Sequence, residues 1–295
     1  MLFDIQNIIF QDLHSHALDN KKIKLSVARL DKIHPIISGN KLFKLHYFLE
    51  AFRTGSFESV TTFGGAYSNH LAATAYACNL LQIPCKGFVR GEQPVVFSHT
   101  LQQCISYGMQ LEFLSRSEYA ALADNQITGE KILIIPEGGY HPLGAKGASL
   151  IMDNINAGPA THICLAVGTA TTLAGILQKA GTNQTVIGIP VLKGLNDMEK
   201  RLGILNGRTD YSNLKIWNDA HFGGYAKKTA ALMTFMNETY EKYALPTDYV
   251  YTAKMMYAVM DAIDKNKFPP GSHIICIHTG GLQGNESLPP GSLIF

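Results

Sequence analysis

Three short segments of the sequence contain residue types that could do chemistry. The first, SGNKLFKL at 38–45, places Lys41 and Lys44 three residues apart where a helix is predicted to begin. Positive side chains oppose the helix dipole at an N-terminus, so stability alone would not favour lysines there. Lys41 is interpreted either as a solvated surface amine or as a Schiff-base lysine. An amine held near another positive charge has a lowered pKa and becomes nucleophilic at neutral pH.

The second segment is FGGAYSNHLAA at 63–73, in which two glycines follow a predicted strand. Ser68 is a favoured N-cap and glycine pairs form turns, so capping alone explains these residues. Asn69 is a mediocre helix former, and its amide could point into a cleft. His70 by itself is more typical of a partly buried histidine than of a catalyst.

The third segment is AVGTATTLAG at 166–175, a predicted strand followed by a turn of small and hydroxyl residues and then a helix. Backbone N–H groups at a helix N-terminus, together with threonine hydroxyls, form an anion site that suits a phosphate. The segment is neither a Walker A loop nor a G-x-G-x-x-G fingerprint. A tightly packed junction between strand and helix explains it equally well.

Short β-branched runs alternate with segments of helical period along the whole chain, which predicts repeated βαβ units. Strands are predicted at 22–30, 59–63, 85–90, 109–114, 131–136, 162–167, 185–191 and 272–281. Helices are predicted at 40–52, 68–81, 99–108, 143–155, 171–180, 227–243 and 252–265. This order implies an α/β protein with mainly parallel sheets covered by helices. Ligands of such sheets bind beyond the carboxyl ends of the strands, where the three segments lie.

Composition excludes several classes of protein. The chain has 295 residues, of which 46% are hydrophobic and 16% charged, too apolar for a disordered chain. A formal net charge of +2 with no basic block argues against nucleic acid, and no apolar run is long enough to span a membrane. Asp4 stands where a secretory signal needs a basic residue. The five cysteines form no C-x-x-C pair and are expected to be buried hydrophobes in a reducing cytoplasm.

One cofactor explains the three segments together. A nucleophilic lysine, an asparagine amide and a phosphate site suit an aldehyde that carries a phosphate. That description fits pyridoxal 5′-phosphate (PLP), whose chemistry the cofactor supplies and the protein directs.

The sequence also resembles the fold-type II PLP enzymes, and within them the group of 1-aminocyclopropane-1-carboxylate (ACC) deaminases and D-cysteine desulfhydrases. The resemblance covers nearly the whole chain in order. Its motifs are G-N-K-x-x-K-L at 39–45, G-G-x-x-S-N-H at 64–70, E-G-G-x-x-x-L-G-x-x-G at 137–147, T-x-T-T-x-A-G at 169–175, P-T-D-x-V-Y-x-x-K at 246–254 and H-T-G-G at 278–281.

The resemblance implies a role for each matching residue. Lys41 would bond to the cofactor and move the α-proton of the substrate. Asn69 would bind the pyridine O3′, while Ser68 and His70 would belong to the loop that receives the substrate carboxylate. The other implied cofactor residues are Asn40, Lys44, Thr169, Ala170, Thr171 and Thr172, of which the last four match the phosphate cup. The implied active-site tyrosines are Tyr225 and Tyr251, each of which could instead be a packed core side chain.

Three positions depart from the ACC deaminases. Thr252 stands where a Glu is expected beside the pyridine nitrogen, Thr279 where a Leu is expected, and Tyr67 where a Gln is expected. A carboxylate keeps the pyridine nitrogen protonated, whereas a hydroxyl can leave it neutral and the ring a weaker electron sink. β-Elimination from cysteine needs a weaker electron sink than the opening of a cyclopropane ring does. The two threonines therefore favour the desulfhydrase, while Tyr67 leaves the substrate open.

The resemblance thus implies a two-domain fold-type II PLP enzyme, similar to the β subunit of tryptophan synthase. A large domain of residues 1–45 plus 147–295 and a small inserted domain of residues 46–146 are expected. The expected activity is elimination of sulfide from D-cysteine, with ACC deamination as the alternative. A PLP-binding protein without catalysis and a cofactor-free structural protein are the remaining hypotheses. A small amino-acid substrate and a homodimer are also expected.

Overall fold

The structure, a computed structural model, describes residues 8–124 and 131–295. Within them the strands are β1 Ile9–Leu13, β2 Lys24–Arg29, β3 Ser59–Gly64, β4 Cys85–Arg90, β5 Gln110–Leu114, β6 Ile132–Ile135, β7 His162–Val167, β8 Thr185–Pro190, β9 Leu214–Ile216 and β10 His273–His278. The helices are α1 His16–Asn20, α2 Asn40–Thr54, α3 Asn69–Leu80, α4 His99–Ser106, α5 Arg116–Asp124, α6 Pro142–Asn154, α7 Thr171–Lys179, α8 Met198–Asn206, α9 Ala230–Tyr243 and α10 Thr252–Asp264. Residues 1–7, including Asp4, lie outside the described residues.

The strands form two sheets. A six-stranded sheet has the order β1-β2-β10-β7-β8-β9, and a four-stranded sheet has the order β5-β4-β3-β6. Only β1 is antiparallel to its neighbour among these pairings. Strands β7 and β10 are apolar along most of their length and buried, as expected where helices cover both faces. The predicted α/β fold with mainly parallel sheets is therefore confirmed.

Five elements were missed by the sequence analysis: β1, α1, α5, α8 and β9. Strand β9 has three residues and helix α1 has five, too short to show a period. Strand β1 is an edge strand with a single fully buried residue, Leu13. Helices α5 and α8 are rich in charged residues, which weakens the apolar pattern that predicts a helix.

Helix α2 is held close to helix α6. A Cβ atom placed on Gly147 would lie 2.1 Å from the Phe43 carbonyl oxygen, so only glycine permits this approach. Phe43, Phe48 and Leu49 of α2 are buried in the large hydrophobic cluster that continues into both sheets. The first turn of α2 contacts the segments that follow strands of both sheets, since the Asn40 N–H donates to the carbonyl of Thr279 after β10 and Lys44 donates to that of Gly138 after β6.

The division into residues 1–45 plus 147–295 and residues 46–146 stays a prediction. Its first boundary falls inside α2, which continues without a break to Thr54. The four-stranded sheet takes all of its strands from residues 59–135. In the described part of the chain, no helix is long and apolar enough to cross a membrane.

Candidate active site

Lys41 lies in the first turn of α2, which the chain enters through Gly39. Gly39 has φ +70°, and a Cβ atom there would lie 2.0 Å from the carbonyl oxygen of Thr279. The N–H of Asn40 donates to the same carbonyl at 3.2 Å. A glycine is needed here because it permits both the left-handed conformation and the close contact between two loops.

The side chain of Asn40 connects Lys41 to helix α7. The Lys41 ammonium donates to Asn40 Oδ1 at 2.8 Å, and Asn40 Nδ2 donates to Thr172 Oγ1 at 2.8 Å. Burial lowers the pKa of Lys41 to about 8, although the charge of Asp248 acts in the opposite direction. Lys41 therefore has a substantial neutral, nucleophilic fraction near physiological pH.

Lys44 lies one turn further along α2 and is almost fully buried. Its ammonium donates to the Gly138 carbonyl at 3.0 Å, and burial together with the charge of Lys41 holds its pKa well below the usual range. Gly138 lies against Thr169, since a Cβ atom on it would be 2.9 Å from Thr169 Cγ2. Lys44 thus lies beside the turn that leads into α7.

Helix α7 begins after Ala170, which has the left-handed conformation with φ 69° and caps the helix with no side-chain hydrogen bond. Thr169 Oγ1 and Thr171 Oγ1 lie 2.9 Å apart. The backbone N–H groups of a first helical turn are available to an anion when no side chain caps them. The arrangement fits the phosphate of PLP.

Helix α3 presents the second group of predicted residues. The N–H of Leu71 donates to Ser68 Oγ at 3.3 Å, so Ser68 is a helix cap, as the sequence indicated. Asn69 Oδ1 is buried and has no hydrogen-bond partner within the described residues. A buried atom without a partner at a helix start is unusual, and it fits a site that a ligand completes.

His70 is neutral at ordinary pH. Burial and the charges of Lys41 and Lys44 lower its pKa to about 3. Its Nε2 atom is 3.0 Å from Thr62 Oγ1, which in turn donates to the Ile135 carbonyl. His70 therefore adds no positive charge with which to bind a carboxylate.

The structure brings the two predicted tyrosines together. Their hydroxyl oxygens are 3.4 Å apart, and their rings meet edge to face with centroids 6.0 Å apart. Burial raises the pKa of Tyr225 and that of Tyr251. Both hydroxyls stay protonated at neutral pH and can donate hydrogen bonds.

Thr252 is engaged with a residue that the sequence analysis did not single out. Its hydroxyl donates to Asp248 Oδ1 at 2.7 Å and accepts from the Asp248 N–H at 2.8 Å. The carboxylate of Asp248 is fully buried and also accepts from the N–H groups of Val250, Tyr251 and Thr252. Asp248 engages both the proton and one lone pair of the Thr252 hydroxyl, so Thr252 places no charge in the site. The Asp in P-T-D-x-V-Y, four residues before the first residue of α10, was the available signal.

A further polar group at the edge of the four-stranded sheet was also missed. Arg90 ends β4, and its guanidinium lies 3.5 Å from the carboxylate of Glu137 and over the Tyr119 ring. The Tyr119 hydroxyl donates to Glu137 at 3.0 Å. Arg90 also adjoins Gly65 of the G-G-x-x-S-N-H segment. A single Arg at a strand end gives no pattern by which the sequence alone would identify it.

Comparison with known proteins identifies the family. Residues 13–280 match the family described as pyridoxal-phosphate dependent enzyme. The chain belongs to this family. The protein is therefore a PLP-dependent enzyme, and the cofactor and enzyme class expected from the sequence are confirmed.

Individual relatives agree with the family. The chain is 30% identical over 285 residues, 88% of each chain, to a putative 1-aminocyclopropane-1-carboxylate deaminase of Thermotoga maritima. It is 27% identical to a mitochondrial bifunctional D-cysteine desulfhydrase/1-aminocyclopropane-1-carboxylate deaminase of Arabidopsis thaliana, covering 84% of this chain and 70% of the relative. A solved structure of an ACC deaminase homologue superposes with a TM-score of 0.79 at 24% identity, covering 96% and 92% of the chains. The predicted fold-type II architecture is confirmed by these matches.

Proposed function

We propose that this enzyme is a D-cysteine desulfhydrase-like lyase. It would convert D-cysteine, or a related β-substituted amino acid, and water to pyruvate, sulfide and ammonia. The observation that carries the proposal is Thr252, a hydroxyl at the position after Tyr251 where the ACC deaminases are expected to have a carboxylate. Thr279 supports the same choice. The bifunctional relative shows that one chain of this family can carry both names.

The residues around Lys41 suit PLP as a ligand. Lys41 would bond to the cofactor, with Asn40 and Lys44 beside it and Asn69 toward the ring oxygen. The phosphate would lie at the start of α7, bound by Thr169, Ala170, Thr171 and Thr172. Thr252 and Thr279 would lie on the side of the ring nitrogen. When bound, PLP supplies the electron sink that stabilises negative charge at the α-carbon.

The protein's own groups would handle the substrate. Ser68, Asn69 and His70, at the start of α3, would bind the substrate carboxylate, with the helix N-terminus supplying partial positive charge. The Lys41 amine would remove the α-proton, for which its lowered pKa suits it. Tyr225 and Tyr251 stay protonated, so they would donate hydrogen bonds where negative charge develops on the departing sulfur.

ACC deaminase, which forms 2-oxobutyrate and ammonia, is the second candidate. It is favoured by the name of the Thermotoga maritima relative. A third candidate, a PLP-binding protein with a regulatory or carrier role and no catalysis, leaves the paired hydroxyls of Tyr225 and Tyr251 without a purpose.

One assay separates these candidates. Purified protein reconstituted with PLP is given D-cysteine, L-cysteine and ACC separately, while sulfide, pyruvate, 2-oxobutyrate and cofactor absorbance are measured. We expect sulfide and pyruvate from D-cysteine only. Formation of 2-oxobutyrate from ACC would establish the second candidate and overturn the argument from Thr252. A spectral change with no product would favour the third.

The proposal extends to assembly, location and domains. We propose a cytoplasmic homodimer with an inserted small domain at residues 46–146. Five free, buried cysteines fit a reducing compartment. Light scattering on the purified protein tests the dimer, and limited proteolysis near the two boundaries of the insertion tests the domains.

A further inference from the structure

Lys254 is a buried cation to which the proposed mechanism gives no role. It ends the motif P-T-D-x-V-Y-x-x-K, lies in the first turn of α10, and is completely inaccessible to solvent. Its ammonium donates to the Gly224 carbonyl at 2.7 Å. Burial lowers the pKa of Lys254 to about 8, opposed by the charge of Asp248. A cation is costly to bury unless it is bound, so this contact needs an explanation.

The acceptor belongs to a loop with an unusual backbone. We call residues 221–227 the tyrosine loop, because they contain Tyr225. Left-handed φ values occur at Phe222, Gly223, Gly224 and Ala226, which have φ of 50°, 89°, 122° and 52°. Non-glycine residues adopt this conformation at a cost, and it persists only where the surroundings hold it. Within the loop, the Gly224 N–H donates to the His221 carbonyl at 3.0 Å and the Lys227 N–H donates to the Gly224 carbonyl at 3.2 Å. These bonds fix the turn itself, and the contacts of the loop with α10 decide where the turn lies.

Helix α10 contacts the tyrosine loop at a second point. The Phe222 ring packs edge to face against the Tyr257 ring, with centroids 4.8 Å apart. Lys254 and Tyr257 are three residues apart and so lie on one face of the helix. The residue immediately before α10 is Tyr251. One helix thus carries both Tyr251 and the attachment of the loop that contains Tyr225.

We propose that Lys254 is a positioning residue that holds Tyr225 against Tyr251 through the Gly224 carbonyl. The Tyr225 ring is 48% exposed, and the 3.4 Å separation of the two hydroxyls depends on where the tyrosine loop lies. Removing the ammonium frees the loop to move away from α10. The consequence for turnover rests on the proposed function, whereas the placement of Tyr225 does not.

The test compares Lys254→Met with the native protein, both loaded with PLP. Methionine keeps the aliphatic chain and removes the donor to Gly224. We measure tryptic cleavage after Lys227 and Lys228, which are exposed, and the pKa of Tyr225 from the NMR signal of its labelled Cζ. We expect cleavage to accelerate about tenfold or more, since the loop opens more often. The pKa of Tyr225 should fall toward its ordinary value, because the loss of burial, the largest cause of its elevation, outweighs the loss of the hydrogen bond from Tyr251, which lowers it.

The control is Lys265→Met, which removes an exposed lysine that pairs with Asp261 at the end of the same helix. It should leave both measurements unchanged. A folded Lys254→Met protein with native cleavage and a native Tyr225 pKa would overturn the proposal. If Lys254→Met does not fold, the same two measurements are made on Lys254→Gln. The glutamine side chain is one bond shorter than lysine, so its amide does not reach the Gly224 carbonyl.

Kinetics with D-cysteine separate this proposal from the proposed function. If sulfide is released, kcat should fall about tenfold or more in Lys254→Met with a smaller change in KM, since Tyr225 is misplaced and the carboxylate loop is intact. An unchanged kcat with native cleavage would overturn the proposal, whereas an unchanged kcat with faster cleavage would overturn only the role of Tyr225 in turnover. If the native protein releases no sulfide, the proposed function fails, and cleavage and the Tyr225 pKa still decide the role of Lys254.

Discussion

The two sheets present different edges to the site. On the side of the six-stranded sheet, Arg29 and Asp31 are buried and form two hydrogen bonds with each other, and Asp31 also meets His278. Asp248 accepts four hydrogen bonds from its own turn. On the side of the four-stranded sheet, the Arg90 side chain is 45% exposed.

This difference has a physical meaning. Buried charges with all partners in place resist rearrangement, because moving either partner leaves an uncompensated charge. Among the described residues, the four-stranded side keeps an unpartnered buried atom on Asn69 and a half-exposed ion pair at its edge. The charged groups of the six-stranded side are therefore preorganised, while the uncapped start of α7 and Thr247 Oγ1, which has no partner in the described part of the chain, remain open to a ligand on that side. The charged groups of the four-stranded side are held less firmly.

The largest expected effect is that of Lys41, which lies between the two sides. Lys41→Ala should abolish the absorbance of lysine-bound cofactor and reduce turnover by about a thousandfold or more, because the nucleophile and proton acceptor are lost. Absorbance spectra and sulfide release measure this. Lys44→Met is the matched comparison and should keep the absorbance of bound cofactor. A Lys41→Ala variant with native turnover would refute the assignment.

The second prediction compares a buried with an exposed carboxylate. Asp248→Asn should lower the free energy of unfolding by about 3–5 kcal/mol, because its amide NH2 would face backbone N–H groups and because the buried Lys254 would lose the charge that opposes its desolvation. Glu137→Gln on the four-stranded side should cost less than about 1 kcal/mol, since its ion pair with Arg90 is half exposed. Urea unfolding measures both. Equal losses of unfolding free energy in the two variants would show that the charged groups of the two sides are held equally firmly.

The third prediction concerns pH. Lys41, with a pKa lowered to about 8, is neutral and reactive above that pH and protonated below it. The rate at which cofactor-free protein captures PLP should rise about tenfold per pH unit below 8 and level off above it. Stopped-flow absorbance follows the capture. Asp248→Asn should move the inflection to lower pH, because the charge of Asp248 raises the pKa of Lys41. An inflection near 10.5, the ordinary value, would contradict the prediction.

The last prediction concerns Ser68, for which a modest effect is expected. Ser68→Ala should cost about 1 kcal/mol, because the cap of α3 is lost. Ser15→Ala removes an equivalent cap from α1, with the same 3.3 Å hydrogen bond, and should cost a similar amount. Thermal unfolding compares the two. Ser68→Ala should raise KM for the substrate, whereas Ser15→Ala should not. Equal KM values in the two variants would show that the substrate carboxylate does not bind at the start of α3.

Much of the fold could be predicted because its signals are local. The alternation of β-branched runs with helical segments predicted parallel sheets, and the glycine-containing motifs predicted which loops carry chemistry. Arg90 was missed, since nothing about an isolated basic residue shows that it will be paired. Asp248 was missed although it lies in the P-T-D-x-V-Y motif, because the motif does not show that its carboxylate will be buried. The edge strand β1 was missed because only Leu13 in it is fully buried.

The sequence by itself indicated the order of the longer elements and the family, and it predicted Lys41 as the nucleophile and residues 169–172 as the phosphate-binding turn. Only the tertiary structure decided that Asn40 reaches Thr172, which is 132 residues away in the chain, and that Lys254 reaches Gly224. Helix and strand signals depend on neighbouring residues, whereas these contacts depend on how distant loops meet at the ends of two sheets. The protonation of Lys41, Lys44 and His70 follows from that meeting, because their burial arises only once the chain has folded.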